Sequence, residues 1–290
     1  VAIDDARSAC ARERCAPAVQ PIAMHAAASR MLDHLYPDET RGRLEALGHS
    51  AAAAVLTATP QIALHDHAWQ IGYAAAERLI RRALDDGWDL PRLPASRPKW
   101  QPGVWRSSPP INMYDPLEPH AGRWRTWILK SGSEIEPPPP PAYGSAEFWK
   151  EVEEVRAVAA ALTAEQKRGA EDWNLDLGTV TPAGVWNQRA KDLVVHHQLD
   201  TAKAARIFST LNTAMLDAFI ACWHAKFKWW TERPITVIRS RYDKAFTPHV
   251  LTPAFPSYVS GHASASGAAS EVLAHFFPEN AAELRRMADE

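Results

Sequence analysis

The chain has 290 residues, a formal net charge of −2 and 46% hydrophobic residues. A chain this long can bury roughly three quarters of its unfolded surface, enough for one large domain or two small ones. The near-zero charge argues against a nucleic-acid partner, and no apolar run approaches the roughly 20 residues of a membrane span.

Val1 is not an initiator methionine, so a segment ahead of it is expected to have been removed, and no signal peptide is visible. Cys10 and Cys15 are spaced to close a small disulfide loop, which favours an exported (periplasmic or secreted) protein over a cytoplasmic one. Residues 17–87 are alanine-rich and helical. Ile22, Met24, Met31, Leu32 and Leu35 serve a first helix ending at Tyr36-Pro37. A second is predicted over Arg41 to Thr57, and a third over Gln61 to Asp86, closing on Gly87. His65 and His67 hint at a metal, but residues two apart on a helix diverge, which argues against chelation.

From Leu90 to Gly144 prolines and tryptophans crowd together, from Pro98, Trp100 and Trp105 through Trp124 and Trp127 to the run Pro137 to Pro141. Such text cannot be a helix. So many tryptophans point to a packed, wrapping loop at the mouth of a pocket, with the proline run as a rigid spacer. Helices resume over Ser145 to Ala160, Thr163 to Trp173 and Thr181 to His197. The period of the first rests on Phe148, Val152, Val155 and Val158. No segment alternates with period two, so the expected class is all-α. The division read from composition is 1–89 for the N-terminal helices, 90–144 for the wrapping loop and 145–290 for a helical-bundle part.

The most informative helix runs from Asp200 to Trp230 without glycine or proline and opens on an Asp-Thr cap. Phe208, Leu211, Met215, Phe219, Cys222 and Trp223 form one apolar stripe, and Lys226 falls on it. Asp217 points the opposite way. A lysine facing a core needs an anionic partner unless it snorkels past the helix end, and both readings stay open. Cys222 reads as core. Arg233-Pro234 follows seven residues after Lys226. Ser260-Gly261-His262 then opens a helix that runs to Phe277 and stops at Pro278. On a wheel His262 shares a face with Ala265, Ser266, Ala269, Leu273 and Phe276, while Glu271 and Ser264 face away. A helix start is a ready anion site, and Gly261 lets a ligand come near. A lone histidine on an apolar face is most often a satisfied core residue; beside Ser-Gly, after Lys…Arg-Pro, a working role is the better reading.

Lys226, Arg233-Pro234 and Ser260-Gly261-His262 together resemble the motifs of the vanadium-dependent haloperoxidase and type 2 acid phosphatase superfamily. The stretch Phe255-Pro256-Ser257-Tyr258-Val259-Ser260-Gly261-His262 resembles the bacterial haloperoxidase version, with Val259 where that family usually has proline. The likeness extends upstream through Thr181-Pro182-Ala183-Gly184-Val185-Trp186-Asn187 and Ala204-Ala205-Arg206-Ile207-Phe208. It implies the helical bundle of that superfamily, with Lys226, Arg233, Ser260 and the Gly261 N–H holding vanadate or phosphate. His262 would then be the acid–base group, and Lys226 would polarise a bound peroxide. Trp229 and Trp230, between the two cations, either line the halide or substrate side or simply pack. The resemblance also implies a third block, Ser-Arg with a histidine six residues on, which supplies the vanadium-ligating histidine. That block is absent up to Glu290, so the bundle is expected to continue beyond it.

The function implied is a vanadate-dependent haloperoxidase that uses hydrogen peroxide to oxidise halide and halogenate a small organic substrate. More than 220 residues precede Lys226, which resembles the haloperoxidases more than the compact soluble phosphatases. The alternatives are an acid phosphatase acting on phosphomonoesters, or a metal-free homologue serving as a binding module or acid–base catalyst. Halide preference, organic substrate and oligomeric state, a homodimer included, are left open.

Overall fold

The computed structural model describes residues 1–37, 62–88, 97–175 and 178–289. Among them lie ten α-helices and no strand, only an isolated antiparallel bridge between Val104 and Thr231. The helices are α1 (Ala2–Arg12), α2 (Gln20–Leu35), α3 (Ile62–Ala83), α4 (Ala146–Ala160), α5 (Ala164–Asp172), α6 (Thr181–His196), α7 (Thr201–Trp229), α8 (Pro234–Arg241), α9 (Gly261–Phe276) and α10 (Ala281–Asp289). None is long and apolar enough to cross a membrane.

Two compact units divide the chain: Val1–Asp89 with Asp192–Thr210, and Leu90–Lys191 with Leu211–Glu290. In the first, α1, α2 and α3 pack through small residues, among them Ala6, Ala23, Ala27, Ala68, Ala75 and Ala76. The approach is close enough that a Cβ at Gly72 would sit 2.0 Å from the Ala23 carbonyl oxygen. Helix α1 was not anticipated from the sequence, and it ends in the Cys10–Cys15 disulfide. The helix expected over residues 41–57 lies outside the described residues. His65 and His67 diverge as expected: His65 is buried, with neither ring nitrogen hydrogen-bonded, while His67 is exposed and pairs with Glu13 at 3.1 Å.

The second unit is built from caps and from one long wrap. Ser145 caps α4 by accepting from the Phe148 N–H at 3.1 Å, and Thr163 and Gln166 form a reciprocal capping box on α5. The start of α7 belongs to the first unit, where Asp200 accepts from the Lys203 N–H at 2.8 Å. The expected α4 period is only part of its packing, because Val155 and Val158 are 40% and 47% exposed. Only Val152 is buried there, against Val237 and Ile238 of the eight-residue helix α8.

The wrap explains α7. Asp217, expected to point away from the core, does lie opposite Lys226, but it is buried at 4% exposure. Its carboxylate accepts from the backbone N–H groups of Trp127, Ile128 and Leu129 at 2.7, 2.7 and 3.0 Å. Trp124 stacks on Phe219 at 5.8 Å between centroids, and a Cβ at Gly122 would come within 2.5 Å of the His224 backbone. The proline-rich segment is therefore clamped onto the outer face of α7, and a carboxylate supplies the acceptors that its irregular backbone lacks. Trp105 and Trp124 are buried, whereas Trp100 is 57% exposed.

Candidate active site

Lys226 is almost fully buried, at 1% exposure, so it does not snorkel. The anionic partner expected for it is not there either. Its Nζ donates to the backbone carbonyls of Pro256 at 2.9 Å and Ser257 at 3.0 Å. It also sits 4.8 Å from the centre of the Phe255 ring and 5.8 Å from that of Trp223. Carbonyl dipoles and ring faces replace a carboxylate, and they stabilise an ammonium only in part. Burial accordingly pulls the Lys226 pKa down to about 7, with the Arg233 charge pushing the same way.

Arg233 reaches the same turn from the other side. It precedes the first turn of α8, where Pro234 fixes the entry of the chain. Its Nε donates to the Phe255 carbonyl at 2.6 Å, and its guanidinium carbon lies 4.7 Å from the Phe255 ring centre. Its Nη2 is buried with no hydrogen-bond partner. Burial lowers the guanidinium to about 10, so it keeps its charge at neutral pH. Among the described residues neither cation pairs with a carboxylate. The neighbouring Glu232 is buried but turned to the wrap, accepting from the Gly103 N–H at 2.9 Å and lying 3.6 Å from Arg106 Nε.

The third part is the start of α9. Ser260 is its N-cap, accepting from the Ala263 N–H at 3.2 Å and leaving its own hydroxyl hydrogen free. Gly261 lies over the indole of Trp223, where an added Cβ would stand 3.4 Å from the ring. That same indole faces Lys226, and it packs against Phe255 at 5.1 Å. Cys222 Sγ donates to the Val259 carbonyl at 3.7 Å, tying the segment before the helix to α7, and burial pushes its thiol pKa up. The Tyr258–Val259 peptide, where the related motif usually has proline, is cis.

His262 departs from the wheel. It is exposed, while Ser266, Ala269 and Leu273 on the same face are buried. Cover on this face begins one turn later, at Ser266, whose hydroxyl accepts from the buried Trp186 indole at 3.0 Å. The imidazole is therefore open to solvent at the mouth rather than packed in a core.

The two tryptophans between the cations do not join this group. Trp229 is half-buried beneath the Lys228 ammonium at 5.3 Å. Trp230 is buried against Trp105 and Phe227, at 6.3 and 5.1 Å between centroids, and faces the wrap. Phe255 is the residue that sequence reasoning passed over: its ring touches both cations and its carbonyl holds one of them. It lay inside the quoted motif, but nothing in its letter announced that role. No group of three or more His, Cys, Asp or Glu side chains able to hold a metal occurs among the described residues.

Residues 206–289 match the family described as the VCPO second helical-bundle domain. The solved structure of the first bacterial vanadium-dependent iodoperoxidase superimposes with a TM-score of 0.74 at 31% identity, covering 88% of this chain. The apo and holo forms of a bacterial vanadium-dependent chloroperoxidase share the fold at TM-scores of 0.64 and 0.63, with 16% and 17% identity. Each covers 89% of this chain. This chain spans 63% of the iodoperoxidase chain and 68% and 66% of the chloroperoxidase chains. No curated protein matches it by sequence. The matched helical-bundle domain includes the whole Lys226 to His262 constellation, and on these grounds the chain belongs to the vanadium-haloperoxidase-like superfamily.

Proposed function

We propose that this chain carries the oxyanion cup of a vanadate-dependent haloperoxidase that oxidises halide with hydrogen peroxide and halogenates a small organic substrate. One observation carries the proposal: two adjacent cations that lack a carboxylate, Lys226 fully buried and Arg233 half-buried with a buried, orphaned donor at Nη2. Burying positive charge without an anion is costly, and a bound oxyanion supplies what both side chains lack. The fit is chemical as well as electrostatic. A guanidinium offers a planar fork, an ammonium a point charge, and a helix start free N–H groups.

Vanadate, when bound, supplies the Lewis-acidic centre at which peroxide becomes an oxidant toward halide. The vanadium-ligating histidine that the resemblance implies is not among the described residues, and those present would hold the oxyanion and move its protons. Arg233 binds and orients through Nη2. Lys226 donates from Nζ and is drawn to its charged form by the anion it meets. The Ser260 hydroxyl and the Gly261 N–H complete the donors at the start of α9. His262, open to solvent, takes up and returns the proton that accompanies peroxide binding. Phe255 and Trp223 exclude water beneath Lys226, which strengthens each of these contacts. An exported setting belongs to the same proposal, since the Cys10–Cys15 disulfide persists in an oxidising compartment.

The same cup fits phosphate, so the test must separate the two chemistries. Metal-stripped protein is assayed for peroxide- and halide-dependent bromination of a phenol dye before and after addition of orthovanadate. Restored bromination is the expected result. Hydrolysis of a phosphomonoester without it would assign the cup to a phosphatase.

A further inference from the structure

A cavity of about 380 Å³ lies in the wrap rather than at the cup. Its walls include the rings of Trp100, Trp105, Tyr114 and Trp230, with Arg97 and Ser107 between them. That volume falls in the range of small-molecule sites, and a ring the size of benzene needs less than half of it. Three polar atoms here are buried and make no hydrogen bond: Arg97 Nε, Arg97 Nη2 and Ser107 Oγ.

The charges around the cavity must be counted from every side. Arg106 lies 3.6 Å from Glu232, and its guanidinium stands over Trp100 at 5.4 Å. Arg97 lies 3.7 Å from Asp115 Oδ1, too long for a hydrogen bond, and that carboxylate is 61% exposed. The Arg97 guanidinium also stands over Tyr114 at 4.4 Å and over Trp105 at 5.4 Å. Those ring contacts attract its charge but leave the buried Nε and Nη2 donors without a hydrogen bond. What the cavity offers is a set of aromatic walls, with Trp105 and Trp230 inclined at 52°, and an incompletely paired guanidinium and a hydroxyl beside them.

The geometry points to a binding site for a small aromatic carboxylate, ring between the tryptophans and carboxylate on Arg97 and Ser107. Aromatic walls suit an aromatic ring, and a carboxylate suits the fork of Arg97 and accepts a hydrogen bond from Ser107 Oγ. A neutral aromatic would leave the three donors unmet, and an aliphatic acid would leave the ring faces wet. The site stands apart from the cup's proposed function, because its occupancy is read without vanadate, halide or peroxide. The two places are nevertheless joined by the chain. Trp230 walls the cavity, and its N–H donates to the Lys226 carbonyl at 2.9 Å.

The probe is 4-hydroxybenzoate, titrated calorimetrically into the full chain beside 4-hydroxybenzyl alcohol and acetate. One-to-one binding of the acid is expected, with both comparators at least about tenfold weaker. Arg97→Gln should weaken the acid by about tenfold or more and bring it level with the alcohol, while Trp100→Ala should weaken both ring compounds severalfold. Circular dichroism checks that each variant folds, and exposed Trp100 gives a second route should the Arg97 change disturb the wrap. Lys226→Met should leave the affinity unchanged, since the cup is a different place. No binding of the acid in the millimolar range, equal binding of the alcohol, or loss in Lys226→Met with none in Arg97→Gln would each overturn the assignment.

Discussion

Replacing Lys226 by methionine tests the energetic core of the cup. The folded ammonium titrates at about 7 against 10.5 for a free lysine, a depression caused first by burial. A base with a lowered folded pKa is protonated more readily when unfolded, so its burial opposes folding wherever the unfolded side chain is charged. The sign follows: the cost is full below about pH 7, shrinks as pH rises, and is gone above the unfolded value. From 1.36 kcal/mol for each pH unit, the linkage gives a penalty of about 4 kcal/mol at pH 7 and about 2 kcal/mol at pH 9. Methionine matches the stem and carries no charge, so the variant should gain stability over the wild type at pH 7. That gain is offset in part by the Pro256 and Ser257 carbonyls left without a donor. The offset does not titrate, so it drops out of the pH dependence. Urea unfolding of both proteins should therefore show the gap between them moving by about 2 kcal/mol from pH 7 to pH 9, in favour of the wild type. Equal slopes against pH would refute the buried, carboxylate-free lysine.

Other outcomes follow from the same contacts. Asp217→Ala removes a buried carboxylate that accepts from three N–H groups of the wrap and should cost about 3 kcal/mol, read as a fall in Tm of about 6–12 °C, with the wrap newly sensitive to protease. Ser266→Ala strands the Trp186 indole N–H in a dry site and should cost about 1–3 kcal/mol in urea unfolding without altering anion affinity. Arg233→Lys keeps the charge but removes the fork, so oxyanion affinity should drop by about tenfold or more in calorimetry while folding is retained.

Much of the cup was legible because it rests on local rules. The apolar stripe of α7 placed Lys226 inward, and Ser260-Gly261-His262 marked the start of α9, whereas the short helix α8 after Pro234 was not anticipated. The limits were equally physical. Asp217 is correctly opposite Lys226 on the wheel, but its partners lie 88–90 residues away in the wrap, and no periodicity encodes that distance. Lys226 is held by main-chain carbonyls, which every residue possesses, so no letter could name them. His262 sits on the apolar face but in the first turn, before Ser266 and Trp186 meet. A wheel sorts directions and says nothing of where along the axis cover begins.

The most direct test of the oxyanion cup is calorimetric titration with tungstate, a tetrahedral ion that stays deprotonated near pH 8, in buffers of different ionisation enthalpy. An anion beside Lys226 restores its charge, so one-to-one binding should draw about 0.9 proton per site at pH 8, and both the binding and the proton uptake should vanish in Lys226→Met. Binding that takes up no proton, or that persists unchanged in that variant, would contradict a cup built on Lys226 and Arg233.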